Sequence, residues 1–360
     1  ELAVEMSTQN PHQVQSDLAE TLGVPDNRIR VRPPDVGGGF GAKLWPYTGH
    51  LLAAWCAMRL DRPVKWVAPR TKEFQSMIHA RHHIVHAEAG VDDDGRLRGF
   101  RAETTVPVGG ELIPGGSGVP TNLGIMATGQ YAVDAAAVHT TGAFTNTAPT
   151  SAYRGAGRPE ATYFIERLAN LGAKEMGMGP AAFRRQNFVP AEAFPSETQA
   201  AVVYDSAAYE QTLNRALEML GYNDSRERQE QAREEGKYLG VGFSAYIEAC
   251  GLAPSELAGQ LGAQAGLWES SLVRFQPSGT VTAYCGTSGH GQGHDTTYAQ
   301  IVANELGIGY EDVEVVEGDT DEIPQGMGTY GSRSAAVGGS SLVQSSRKVV
   351  EKAKSIAAHQ

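Results

Sequence analysis

Hydrophobic and polar positions in this chain follow one pattern that occurs twice. Near the start, the polar stretch Ser7-Thr8-Gln9-Asn10-Pro11-His12 leads into a helix-like run ending in Leu22-Gly23-Val24, then into the alternating strand Ile29-Arg30-Val31. Far downstream, Gly291-Gln292-Gly293-His294 leads into a second helix-like run ending in Leu306-Gly307-Ile308, then into Val313-Glu314-Val315. Gln9 and Gln292 are 283 positions apart and Leu22 and Leu306 are 284 apart, so the register slips by one. Each copy then reaches a glycine-rich loop that opens another helix: Gly37-Gly38-Gly39-Phe40-Gly41 in the first, Gly326-Met327-Gly328 through Ser334 in the second. Leu-Gly-Val/Ile alone is an ordinary helix end running into a strand; the shared register of glutamine, helix, strand and glycine loop predicts an internal duplication. Helix N-termini and bare backbone N–H groups seat phosphate-like groups. The repeated loops therefore predict one extended anionic ligand held between two related halves.

The same reading gives the remaining elements. Leu51, Ala54, Trp55 and Met58 lie at helical spacing, predicting a helix with a buried face after Pro46. Pro63–Val67 reads as a strand, and His83–Val91, the turn Asp92-Asp93-Asp94-Gly95 and Leu97–Val106 as a hairpin. Gly109–Gly129 reads as a long irregular loop. The stretch from Asn146 to Glu160 leads into a helix presenting Phe164, Leu168 and Leu171, with further helices at Pro180–Asn187 and Ala207–Leu220. Ser271–Phe275 and Thr280–Cys285 flank the turn Gln276-Pro277-Ser278-Gly279 as a second hairpin, and Tyr298, Ile301, Val302 and Leu306 share one helix face. The almost wholly polar run Asp224–Lys237 marks a linker. The expected organisation is a first domain over 1–223, a charged linker over 224–237 and a second domain over 238–360. The fold class is α+β: a two-lobed mixed α/β architecture with internal duplication.

Composition narrows the function. Glycine supplies 43 of 360 residues, well above the usual share of roughly 7%, and it clusters in the loops above, where backbone must approach a ligand closely. The net charge of −11 argues against nucleic acid, which needs a basic face. No apolar run reaches the roughly 18 residues of a membrane span. Cys56, Cys250 and Cys285 are too scattered to hold an iron–sulfur cluster or structural zinc, and they fit a reducing, cytoplasmic setting. The chain opens in strand-like alternation at Glu1 and closes in mid-helix at Gln360, so a fragment is expected and no signal peptide is legible.

Several motifs look like chemistry. Gly37-x-Gly39-x-x-Ala42 fits the dinucleotide fingerprint formally, but the acidic residue expected downstream would be Asp61, which precedes a strand where it should end one. A phosphate loop fails as well, since Leu44 follows Lys43 where Ser or Thr should meet Mg²⁺. His79, His82, His83 and His86 would alternate faces along a strand and cannot converge on a metal. Ala152-Tyr153-Arg154-Gly155-Ala156-Gly157-Arg158 sets two arginines in a glycine-rich turn before a helix. That turn is either an anion or carbonyl-polarising site, or an arginine pinning a carboxylate to shape the loop.

Four segments together, Ser7–Asn10, Gly37–Lys43, Asn146–Gly157 and Gly289–Gly293, resemble the large, molybdopterin-binding subunit of the xanthine oxidase-type molybdenum hydroxylases. The likeness covers essentially the whole chain, and its arginine loop looks most like the carbon monoxide dehydrogenase-like form II branch. The resemblance implies molybdenum on a pterin dithiolene, with molybdopterin cytosine dinucleotide as the cofactor and no direct protein ligand to the metal. It implies that Gln9 stands beside the metal's oxo ligand and that Gly38, Gly39, Phe40 and Gly41 line the centre. Gly291, Gln292 and Gly293 match the loop on the pterin and its phosphate. Ser332, Arg333 and Ser334, after Gly331, match the loop that takes the dinucleotide phosphates. Arg154, with Gly155, matches the active-site loop and is the one catalytic side chain expected here.

The departures from the family pattern are specific. Gly155 stands where carbon monoxide-oxidising members carry a copper-bridging cysteine, which argues against that substrate. Ala156 and Leu44 replace the phenylalanine and glutamate of purine-oxidising members. The general-base glutamate lies beyond residue 360 in the family pattern. The expected reaction is hydroxylation of an aldehyde or N-heterocycle with water as oxygen source. Electrons then leave through an iron–sulfur subunit and an FAD subunit, in a dimer of heterotrimers. The alternative is a non-catalytic carrier of a pterin nucleotide.

Overall fold

The computed structural model describes residues 1–200, 202–251, 258–259 and 266–359. Two compact units are present, and they do not follow chain order: one combines Glu1–Met77 with Ala249–Gln360, the other is Ile78–Glu248.

The first unit opens with β1 (Leu2–Glu5), α1 (Pro11–Leu22), a 3₁₀ turn at Asp26–Arg28 and β2 (Ile29–Arg32). β1 and β2 pair in parallel, Leu2 opposite Ile29 and Val4 opposite Val31. Parallel neighbours need a crossover; α1 supplies it and buries Val14 and Leu18 against Met6, Ile29 and Val31. Gly23 ends α1 in the left-handed conformation at φ 65°, where a side chain would be strained. After the glycine loop come α2 (Thr48–Leu60) and α3 (Arg70–Ser76). The buried face expected on α2 is only partly realised: Ala54 is buried, but Trp55 and Met58 are 46% and 44% exposed, and Arg59 covers the Trp55 ring. Pro63–Val67 is not a strand. Pro63 lacks a ladder N–H, and Trp66 instead packs edge-on against His50, ring centres 5.0 Å apart.

The second unit begins with the expected hairpin, β3 (Ile84–Val91) and β4 (Leu97–Gly109), in antiparallel register. Its turn is held by Asp92, whose Oδ1 accepts the N–H groups of Asp94 and Arg96. The stretch read as a loop contains α4 (Gly118–Ile125), and β5 (Ala135–Phe144) then pairs in parallel with β4. Both lack a regular period: α4 (GVPTNLGI) carries two glycines and a proline, and β5 (AAAVHTTGAF) sets Val138 and Phe144 among alanines and threonines. α5 (Arg158–Glu175) buries Phe164, Ile165 and Ala169, while Leu171 faces out. α6 (Pro180–Asn187), the two-residue strands β6 (Ser196–Glu197) and β7 (Val203–Tyr204), α7 (Tyr209–Leu220) and α8 (Ser225–Glu234) complete the unit. The polar run read as a linker is thus a solvated helix, and the break between compact units falls at Glu248. Inside, the fully buried Arg184 donates to Glu166 Oε2 at 2.8 and 3.0 Å, and the same oxygen accepts the Ala245 N–H at 2.8 Å.

The first unit resumes with β8 (Ser271–Phe275), β9 (Val281–Cys285), α9 (His294–Leu306), a 3₁₀ turn at Tyr310–Asp312, β10 (Val313–Glu317) and α10 (Gly339–Ala357). β8 pairs antiparallel with β9, and β9 in parallel with β10. The run β9–α9–turn–β10 repeats β1–α1–turn–β2 element for element, down to a left-handed Gly307 at φ 70°. The duplication read from the sequence is present, but both copies and both glutamine loops lie in one compact unit. Arg30 ties the copies together through its paired contacts with Asp319, and Val31 and Thr320 exchange hydrogen bonds.

Candidate cofactor-binding site

Gln9 is 2% exposed and its amide is used inside the chain. Oε1 accepts the N–H groups of Gly41 at 2.8 Å and Lys43 at 3.3 Å, while Nε2 donates to the Thr329 carbonyl at 2.9 Å. Its backbone does the same work, since the Gln9 N–H donates to Lys43 O and Gln9 O accepts from the Thr329 N–H, both at 2.9 Å. One residue therefore fastens three loops. A Cβ on Gly39 would come within 2.5 Å of the Gln9 side chain, and one on Gly328 within 2.5 Å of the Gln9 carbonyl. Those glycines are required by close approach. Gly38 and Gly41 sit at φ 93° and 99°, and Phe40 between them at φ 55°, half exposed at 51%.

The second glutamine loop meets this one directly: the Gly38 N–H donates to the His290 carbonyl at 3.0 Å. Gln292 is exposed. Its Oε1 accepts the His290 N–H at 2.6 Å, which orients the amide without burying it. Gly291 and Gly293 hold φ 107° and 77°, and Gly293 caps α9. Burial lowers the His290 pKa, so the ring beside these loops is neutral near pH 7. In the last loop, Ser332 is left-handed at φ 54° and exposed. Arg333 is 1% exposed, and its guanidinium donates inward to Gly328 O at 3.1 Å and Trp268 O at 2.6 Å. Its side chain shapes the loop, and the Ser334 hydroxyl donates to Thr329 Oγ1 at 3.3 Å.

Carboxylates that the sequence reading missed lie beneath the second copy. Glu269, 0% exposed, sits 3.8 Å from Arg333 and accepts the N–H groups of Ser270 and Met327. Burial pushes its pKa up to about 7, against the pull of those N–H groups and Arg333. Glu317 contacts His294 at 3.0 Å, both side chains 7% exposed. One signal pointed to Glu317: along β10 it shares the alternating face of Val313 and Val315, which turn inward.

In the second unit, the Arg154 loop is built independently. Gly155, Ala156 and Gly157 take φ 97°, 46° and 95° in succession, and a Cβ on Gly157 would strike the Val119 carbonyl at 2.0 Å. Arg81 reaches Glu160 and the Arg154 carbonyl. Arg158 donates to Gly155 O at 2.6 Å and pairs with Glu248 at 2.5 Å. Arg158 thus pins a carboxylate and shapes the loop, and Arg154 is exposed. Burial raises the Glu248 pKa, opposed by Arg158. Among the described residues no three His, Cys, Asp or Glu side chains gather as a metal-binding group, the His79–His86 set included.

The loops of the first unit fit a cofactor that brings its metal on its own ligands. They offer bare backbone, hydroxyls and, at their feet, two buried polar atoms without a hydrogen-bond partner among the described residues, Asn10 Oδ1 and Ser288 Oγ. A cavity of about 860 Å³ beside β1, α2 and Pro63–Ala68 is lined by none of these glycines or glutamines.

Two family models, each described as a molybdopterin cofactor-binding domain, match residues 1–188 and 215–360. The carbon monoxide dehydrogenase large chain of Hydrogenophaga pseudoflava is 36% identical over 365 residues, covering 100% of this chain and 45% of that protein. The nicotine 6-hydroxylase large subunit of Paenarthrobacter nicotinovorans is 32% identical over 357 residues, 98% of this chain and 43% of that protein. The crystal structure of the Cu,Mo-CO dehydrogenase in its carbon monoxide reduced state matches with a TM-score of 0.92 at 34% identity, over 99% of this chain and 46% of that one. The chain thus spans under half the length of these relatives. Among the described residues no helix is long and apolar enough to cross a membrane.

Proposed function

This chain belongs to the molybdopterin cofactor-binding domain family, and we propose that it is the cofactor-binding core of a molybdenum hydroxylase large subunit acting on an aldehyde or N-heterocycle. The observation that carries the proposal is the single cradle made by Gln9, Gly38–Gly41, His290–Gly293 and Gly328–Ser334, loops from both ends of the chain joined by direct hydrogen bonds. The ligand such a cradle suits is long and phosphate-bearing, as molybdopterin cytosine dinucleotide is. When bound, molybdenum supplies a two-electron acceptor and lowers the pKa of water.

The chain's own residues have distinct tasks in this reading. Gln9 holds the Gly38–Gly41 backbone against the Gly328–Thr329 loop, so the shape of the cradle is set before ligand arrives and costs no rearrangement on binding. Gln292 and the backbone of Gly291 and Gly293 face the pterin and its phosphate, and Ser332 and Ser334 the dinucleotide end. Arg154 presents a cation to substrate from its left-handed turn. Gly155 carries no thiol to hold copper, which favours a carbon substrate over carbon monoxide, and the nicotine hydroxylase among the relatives supports an N-heterocycle. Electron transfer then assigns iron–sulfur and FAD subunits as partners.

Isotope labelling of the assembled enzyme tests the reaction. With ¹⁸O-labelled water and an N-heterocycle or aldehyde panel, the product oxygen should come from water. Label arriving from dioxygen would end the proposal.

A further inference from the structure

Behind the second copy's loops, five residues form one buried run of hydrogen bonds. Glu317, the last residue of β10, accepts the Thr287 hydroxyl and lies 3.0 and 3.1 Å from His294 Nδ1. Thr287 Oγ1 is 3.0 Å from the Tyr298 hydroxyl, which is also 3.0 Å from the Ser334 carbonyl, so the one Tyr298 proton is shared between Thr287 and Ser334. The His294 and Tyr298 rings stack with centres 4.9 Å apart. Thr287 and Tyr298 are 1% and 0% exposed. The two ends of this run are informative. His294 directly follows Gln292-Gly293, and Ser334 directly follows Gly331-Ser332-Arg333. A Cβ on Gly289 would lie 3.2 Å from Glu317 Oε2, so that loop also rests on the carboxylate. Cys285 Sγ lies 3.3 Å from Thr287 Oγ1, and Glu269 stands under the neighbouring loop.

Packing alone does not account for such a run. Its neighbours Val281, Ala283, Val302 and Leu342 form an apolar core, and well-packed apolar residues fill such space at least as favourably as a buried acid and histidine. What directed hydrogen bonds add is orientation, which they transmit along a connected network. We propose that Glu317 is a positioning residue: through His294 on one side and Thr287 and Tyr298 on the other, it locks the Gly289–Gly293 and Gly331–Ser334 loops into one joint geometry for the phosphate-bearing part of the ligand. The consequence for ligand rests on the function proposed above; the coupling of the loops is a property of the chain alone.

Hydrogen exchange on the cofactor-free chain tests the coupling. Tyr298→Phe keeps the ring and its stack, and Glu317→Gln keeps the shape; each should speed exchange in both loops by about tenfold, with β8 and β9 amides unchanged. Faster exchange in one loop only, or an equal rise across the whole unit, would overturn the proposal. In the assembled enzyme the same variants should release less CMP per chain on acid treatment, and Tyr298→Phe should retain its fold by melting temperature. Coupled exchange with undiminished CMP would leave the coupling standing and remove these loops from the cofactor site.

Discussion

In the first copy of the repeated unit the loop glutamine, Gln9, is buried and bonded to Gly41, Lys43 and Thr329. In the second copy the matching Gln292 is exposed and, among the described residues, its side-chain hydrogen bonds go to His290. The strands, helices and left-handed helix ends agree between the copies, yet one glutamine is a strut and the other is displayed. The supports differ too: a neutral amide fastens the first copy's loop, and buried carboxylates, Glu269 and Glu317, underlie the second. A duplicated backbone can therefore give equivalent positions different surroundings, one glutamine holding the shape of neighbouring loops and the other open to solvent.

The largest effect that sharpens this contrast is at Gly328. An alanine there meets the Gln9 carbonyl at 2.5 Å and is strained at φ 74°, and should cost about 3 kcal/mol of stability in chemical denaturation. An unchanged midpoint would show that Gln9 does not clamp this loop.

The carboxylates give the next effect, and it is pH-dependent. Glu269 is raised from its ordinary 4.5 to about 7, so between those values the folded chain holds a proton that the unfolded chain has released. Stability is then greatest on the acid side of that window and falls as pH rises through it, by on the order of a few kcal/mol at most. Glu269→Gln should flatten the slope between pH 4.5 and 7. A slope that survives the substitution would place the titration elsewhere.

Smaller again is Gly293→Ala. Beyond its chain neighbours and its own helix, no atom of the described residues lies within 4 Å of the added Cβ, and φ 77° opposes it, so about 1 kcal/mol is expected. A loss matching that at Gly328 would erase the distinction between the tightly packed and the displayed loop.

Much of this was legible in the sequence, and the limits are physical. The duplication showed because Gln, helix, Leu-Gly and strand recur in register, and the two longer antiparallel hairpins, β3–β4 and β8–β9, showed because alternation and turn residues coincide; the two-residue pair β6–β7 is too short to alternate. β5 and α4 did not show, since Ala-Ala-Ala-Val and Gly-Val-Pro-Thr carry little periodic contrast. The segments near Gln9 and near Gln292 join one compact unit because the Arg30–Asp319, Gln9–Thr329 and Gly38–His290 contacts act over most of the chain length, which local pattern does not record. At the site, the loops were readable as glycine and glutamine spacing. The inward turn of Arg333 and the burial of Glu269 depend on neighbours more than 50 positions away.

The most direct test sets Gln9→Ala beside Gln292→Ala, with His82→Ala as control, in the assembled enzyme and in the cofactor-free chain. Gln9→Ala leaves buried N–H groups without an acceptor and should cost about 2–3 kcal/mol of stability, with molybdenum content falling as the cradle loosens. Gln292→Ala should leave the cofactor-free stability within about 0.5 kcal/mol and still weaken molybdenum retention roughly tenfold. His82→Ala should change neither. Full molybdenum in both glutamine variants, or its loss in His82→Ala, would contradict the placement of the cofactor in these loops.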